Sequence, residues 1–317
     1  AGDFQGIREA TILSILLVVV VSVALLLQKA ILKSGSYDII KGKSMRPTVI
    51  KLRSAKIPLL IISIVTLVII VVVPLGMIFL VGLLKSYGLP LVPSNFDFSN
   101  YTNILFNNKM VRDGVSNSLI LAVSSGIFAM LLGVMIAYVI IKIKPKGKGA
   151  LEFLATLPYS LPGTVLAIGV ILAWSGKILN INLYNTLWII FIAYIARYLS
   201  FSMNAASAAL RQVHPSLEEA SRSCGASHTE SLKDITLPLI RPAMLSGFFL
   251  IFLPAMRELT TSSLLYGPYT RTLGVAIYML RSDGYITQAS ALATLTILLI
   301  VVVNWIINFI TKERKGV

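Results

Sequence analysis

Seven apolar runs alternate with polar connections along the chain, over about 11 to 27, 58 to 84, 115 to 141, 151 to 175, 185 to 203, 241 to 265 and 286 to 310. Each is close to or above the roughly 20 residues that a helix needs to cross a bilayer's hydrocarbon core. Only internally hydrogen-bonded helices or closed barrels cross that core, and these runs are too long and too evenly apolar for barrel strands. The pattern predicts an all-α fold, a polytopic membrane helical bundle. The first run stands apart, separated from the next by the polar and basic stretch 28 to 57. We expect residues 1–57 to be the last transmembrane helix of a preceding domain with its basic linker. Residues 58–317 are expected to form one complete six-helix transmembrane domain, preceded by that extra helix. The chain opens on Ala1, and its first apolar run lacks a basic leader and a small-residue cleavage site. It looks like a piece of a longer chain.

Composition agrees with the pattern, since 56% of the 317 residues are hydrophobic and only 13% charged, far from a soluble domain. The net charge of +15 would suit nucleic acid if it formed a basic face on a soluble module, and no such module is present. The charge instead follows position. Segments 28–57, 142–150, 197–241 and 311–317 hold 8, 4, 5 and 3 Lys or Arg, 20 of the 28 in the chain. The excess of basic residues in cytoplasmic loops then sets Ala1 outside and Val317 in the cytoplasm, with 85 to 114 as an outer loop. Lys142, Lys144, Lys146 and Lys148 read as an orientation anchor. One cysteine, Cys224, excludes an intrachain disulfide. His214, Cys224 and His228 share one loop without zinc-like spacing, so no catalytic, metal or cofactor site is expected.

The segment Glu218 to Pro238, EEASRSCGASHTESLKDITLP, is too polar to insert and too patterned for a linker. His214, Pro215 and Ser216 supply start signals for a short amphipathic helix over Val213 to Cys224, with Glu218 and Glu219 in its favourable first turn. Gly225 permits a sharp turn. Ser227 or Thr229 can then cap a second short helix, which Pro238 is expected to break before the next span. A short helix of this kind fits a groove on a soluble partner.

Glu219, Ala220, Ser221, Gly225, Ile235, Leu237 and Pro238 match in spacing the EAA loop of binding-protein-dependent ABC permeases, with Ser221 in place of the more usual second alanine. The chain resembles that family over nearly all of 58 to 310. The resemblance implies a permease subunit of an ATP-binding-cassette importer that forms the transmembrane pathway and is not itself an enzyme. It implies cytoplasmic ATP-binding subunits, an extracytoplasmic substrate-binding protein and a second permease domain, the last from the missing N-terminal half of the same chain. The loop would dock into the ATPase, with Glu219 contacting it and Gly225 shaping the turn. No GxxxxGK[ST] phosphate loop is present, so the ATPase is another polypeptide.

Within the sixth run, Arg257 and Glu258 precede Thr260 and Thr261. Charges at depth cost roughly 2.5 to 3.5 kcal/mol on insertion scales, so these residues are candidates for the pathway. The alternative is an ion pair to a neighbouring helix, or snorkelling to water. Pro158, Pro162, Gly163 and Pro254 are expected to kink their spans. The stretch from Met256 to Tyr266, with Leu273 to Tyr278, looks like fused ferric-iron permeases. Ferric iron is the favoured substrate; thiamine, phosphonate and polyamine permeases share the architecture. An ion-driven secondary transporter would need a midplane carboxylate, for which Glu258 alone comes near, and a membrane enzyme would need a catalytic cluster that the sequence lacks.

Overall fold

The structure, a computed structural model, describes residues 12–13, 15–24, 27–28, 55–176 and 180–313. Every regular element among them is helical: α1 (Ile15–Ala24), α2 (Lys56–Leu83), α3 (Ser99–Thr102), α4 (Lys109–Ile143), α5 (Lys148–Ser160), α6 (Gly163–Trp174), α7 (Leu187–Gln212), α8 (Pro215–Ser223), α9 (His228–Met256), α10 (Ser262–Leu265), α11 (Leu273–Ser282) and α12 (Ile286–Glu313). The expected first span is described only as α1, and nearly all of the basic stretch 28 to 57 lies outside the described residues. Five helices are long and apolar enough to cross a membrane, and the bent pair α5 and α6 makes a sixth if it counts as one span.

Two units divide the chain, residues 1–21 with 108–279, and residues 22–107 with 280–317. In the larger unit α4 and α7 pack along each other and α9 packs on both. Small residues allow the approach, as they do between membrane helices generally. A Cβ on Gly133 would collide with Ser202 and Met203, and one on Gly126 would meet Phe248. Ser202 Oγ fills the crossing by donating to Ala129 O at 2.7 Å. An apolar cluster that includes Ala137, Ile140, Met203, Leu210, Val213 and Ile240 closes one end of this bundle.

In the smaller unit α12 packs against α2, and a Cβ on Gly82 would lie 3.0 Å from the Ala291 backbone. Asn100 Nδ2 donates to the carbonyls of Gly82 and Leu84 at 3.1 and 2.8 Å. The end of α2 thus finds partners for carbonyls its own helix leaves open.

Several expectations need correction. The kink expected in the run 151 to 175 is a sharp break, where α5 and α6 diverge by 113°. Pro162 biases the residue before it away from helix, and Leu161 accordingly has ψ 147°. The run 241 to 265 belongs to a helix that starts earlier, at His228, and stops at Met256. Arg257 and Glu258 therefore follow the helix instead of lying within it. The fifth run extends beyond 203 as the helix α7 to Gln212, so Arg197, counted with the cytoplasmic segment 197–241, lies well inside a span.

Pro238 does not break its helix. Leu237 N–H reaches five residues back to Leu232 O, closing a π turn over Leu232–Thr236, and helix continues through the proline. The same device precedes Pro74, where Val73 N–H bonds to Val68 O. A proline ring clashes with the carbonyl four residues back in a regular helix, and the wider turn is where each helix takes it in.

Candidate functional site

The polar segment between α7 and α9 folds as a helical hairpin whose ends are each sealed. At the start of α8, His214 Nδ1 accepts from Ser216 N–H and Pro215 takes the first-turn position where a missing N–H costs nothing. At its end Gly225, at φ +95°, donates to Arg222 O at 2.9 Å, and Ala226 N–H donates to Ser221 O at 3.2 Å. These two bonds form the glycine-closed helix terminus that satisfies the last carbonyls. Ser227 then opens α9 with a reciprocal cap: its N–H donates to Glu230 Oε2 at 2.7 Å and its Oγ accepts from Glu230 N–H at 3.3 Å.

The two adjacent glutamates of α8 diverge in role. Residues next to each other on a helix point about 100° apart, and here Glu219 is exposed while Glu218 is partly buried. Glu218 Oε1 lies 3.0 Å from Lys142 Nζ and accepts from Thr236 Oγ1 at 2.7 Å. Lys142 Nζ also reaches Val213 O at 3.4 Å. Burial alone would raise the Glu218 pKa, but the bonds from Thr236 and Lys142 outweigh it and hold the carboxyl below its ordinary 4.5. That stabilisation is complete above the ordinary value and disappears as pH falls through the lower folded-state value. The expected orientation anchor at Lys142 is thus a specific partner of the hairpin.

Of the remaining loop candidates, Ala220, Gly225 and Pro238 are exposed, whereas Ser221, Ile235 and Leu237 are partly buried. Leu237 packs on the apolar cluster at the end of the bundle.

A second polar site forms where α9 ends. Glu258, 8% exposed, accepts from Tyr198 OH at Oε2. At Oε1 it accepts from Thr260 Oγ1 at 2.5 Å and Thr261 N–H at 2.9 Å. Arg197 Nε stands 3.6 Å from Oε2, and an Arg197 amino group reaches Leu161 O, at the end of α5, at 3.5 Å. A Cβ on Gly163, at the start of α6, would collide with Thr260 and Thr261. The break between α5 and α6 thus has a cation beside its carbonyl end, the side that the helix dipole favours, and the side chains of the Glu258-bound Thr260 and Thr261 against the start of α6. Arg257 is exposed and separate from this network. The ion-pair alternative weighed for Glu258 is therefore present.

Sequence reasoning missed Arg197, Tyr198 and Lys142 as site residues. Arg197 had a readable signal, a lone cation within the apolar run IIFIAYIARYLSF. Among the described residues no group of three or more His, Cys, Asp or Glu is placed to hold a metal ion.

Residues 129–315 match the family described as binding-protein-dependent transport system inner membrane component. The chain is 30% identical over 219 residues to the 2-aminoethylphosphonate transport system permease protein PhnV of Salmonella typhimurium, covering 69% of this chain and 81% of that one. It is 30% identical over 316 residues to the ferric transport system permease protein FbpB of Actinobacillus pleuropneumoniae, covering 97% of this chain but only 45% of that relative. Its fold is similar to that of a chain in the crystal structure of a bacterial alginate ABC transporter in complex with alginate pentasaccharide-bound periplasmic protein. There the TM-score is 0.65 at 19% identity, covering 82% of this chain and 94% of that one.

Proposed function

This chain belongs to the binding-protein-dependent transport system inner membrane components, and from that premise we propose that it carries ferric iron as one half of a two-domain importer. It is a multi-pass membrane permease subunit of the ABC type, not an enzyme; ATP hydrolysis belongs to a partner ATPase, and a substrate-binding protein delivers the cargo.

The ferric reading rests on how far the resemblance to FbpB extends. That match runs through 97% of this chain, whereas the match to the phosphonate permease covers 69%. The same coverage supports residues 1–57 as the tail of a preceding permease domain and 58–317 as the second, and the bias of basic residues supports Val317 in the cytoplasm. A phosphonate substrate is the second reading, favoured by equal identity to PhnV. Iron is cargo here, and the binding protein supplies the affinity.

In this reading α8 is the element that docks into the ATPase. Glu219 and Ala220 are exposed on it, the Gly225 turn fixes its end, Ser221 closes that turn, and Ile235, Leu237 and Pro238 carry the joint into α9. Glu258, Thr260 and Thr261 border the pathway at the α5–α6 break, with Arg257 nearer its rim.

The test is uptake of radioactive ferric iron by cells in which this chain, joined to a preceding permease half and supplied with its ATPase and binding protein, replaces the resident ferric permease. Iron uptake that ATP depletion abolishes supports the reading, and growth on 2-aminoethylphosphonate as sole phosphorus source without iron uptake would replace it. In membranes from the same cells, a membrane-impermeant maleimide should reach Cys224, exposed beside Gly225, only in inverted vesicles, and better once peripheral proteins are stripped. Labelling from the outside would reverse the orientation.

A further inference from the structure

The hairpin that carries Glu219 is weakly seated. No residue of α8 is buried, and most of its side-chain bonds stay local: Arg222 Nε to Glu218 O, Ser223 Oγ to Glu219 O, Ser216 Oγ with His214 Nδ1. Glu218 is different. It reaches two other helices at once, α4 through Lys142 and α9 through Thr236.

Both contacts fall in π turns, Lys142 in Val139–Ile143 and Thr236 in Leu232–Thr236. Such turns interrupt the regular ladder and are places where a helix can shift register locally. Immediately below them, Ile140 of α4, Leu237 and Ile240 of α9 and Leu210 of α7 share one apolar cluster. Packed clusters of this kind transmit displacement instead of absorbing it. The side chains of Lys142 and Glu218 are only 14% and 18% exposed, so the pair is less screened than an ion pair in open water.

We propose that Glu218 is the positioning residue of coupling, the clasp through which α8 draws α4 and α9 together when its outer face is moved. Glu219 and Glu218 then divide the work: one meets the partner, and the other, about 100° round the helix, meets the permease. Lys142 and Thr236 are the two anchor points. The inference rests on the reading of α8 as the ATPase-docking element.

The test uses the assembled transporter with E218Q and E218A, T236V, the exchange pair E218K/K142E, and E219K as reference. Three quantities are read: ATPase retained by the purified permease, binding-protein-stimulated ATP hydrolysis, and substrate imported per ATP hydrolysed. E218Q and E218A should retain the ATPase within about twofold while import per ATP falls about tenfold, a size ordinary for coupling between sites. T236V should give a smaller fall, and E218K/K142E should recover a substantial part of the loss that either single reversal produces. Import per ATP is the reading that a merely structural role leaves unmoved.

Unchanged import per ATP in E218A overturns the clasp. Loss of the ATPase from E218Q overturns it too, by placing Glu218 in the docking face. Failure of the underlying reading looks different: E219K would keep its ATPase, and Cys224 labelling in inverted vesicles would be indifferent to stripping.

Discussion

At the scale of single residues, Glu258 and Arg197 show why a charge is tolerated at depth. Glu258 is saturated, with acceptor bonds from Tyr198, Thr260 and the Thr261 amide. Arg197 is not: its Nε is buried without a hydrogen bond, and its charge is balanced by Glu258 at 3.6 Å. Removing one member of a buried pair is worse than removing both, because the survivor stays buried without a counter-charge. E258Q should therefore destabilise the detergent-purified protein by an amount toward the lower end of about 3 to 5 kcal/mol, read as a lowered midpoint of thermal unfolding. R197M/E258Q should recover most of that loss, since the carboxamide oxygen introduced at position 258 still accepts from the Thr261 amide and no lone cation remains. If the double variant is less stable than E258Q, the two side chains are not energetically paired. The sequence showed Glu258 as a residue needing a partner but could not say which, because the partner lies 61 positions away on a different helix and looked like part of a cytoplasmic segment.

At the scale of elements, local signals were readable wherever the cause was local. His214 and Pro215 start α8, Gly225 ends it and Ser227 starts the next helix, each through bonds spanning at most five residues. Pro162 and Pro238 were less readable because a proline forbids one geometry without choosing its replacement. At Pro238 a π turn keeps the helix going. At Pro162 the chain turns through 113° instead, and what holds that turn is distant in sequence: Arg197 against Leu161 O, and Thr260 and Thr261 against Gly163. Gly163 is the tight point of this junction. G163A should push Thr260 and Thr261 off the start of α6 and disturb the shell of Glu258, lowering uptake severalfold in membranes that contain normal amounts of protein. G169A, further along α6 with nothing within 4 Å of its added carbon, should transport normally and be slightly more helical, since alanine is preferred to glycine inside a helix by about 1 kcal/mol. Equal effects at both positions would show that the contact with Thr260 and Thr261 does not matter.

At the scale of the whole molecule, the apolar surfaces indicate what the chain still has to meet. The apolar window of α7 is 50% buried and that of α4 39%, but none of the window of α2 is buried. A helix that is apolar all round and unburied is covered by lipid or by other helices. Lipid accounts for one side of such a helix, and helix association within a bilayer needs close packing or polar contacts for the other. On the proposed two-domain reading a second permease domain supplies that cover; this chain matches only 45% of the length of FbpB. The full chain, purified with its ATPase subunits and weighed intact by native mass spectrometry, should therefore contain a single copy of this permease and import nothing in proteoliposomes. Adding the preceding permease half should produce a complex with one copy of each, and restore uptake. Two copies of this chain in an active complex would mean that the domain pairs with itself, and that residues 1–57 are an ordinary N-terminal extension and not the end of a partner.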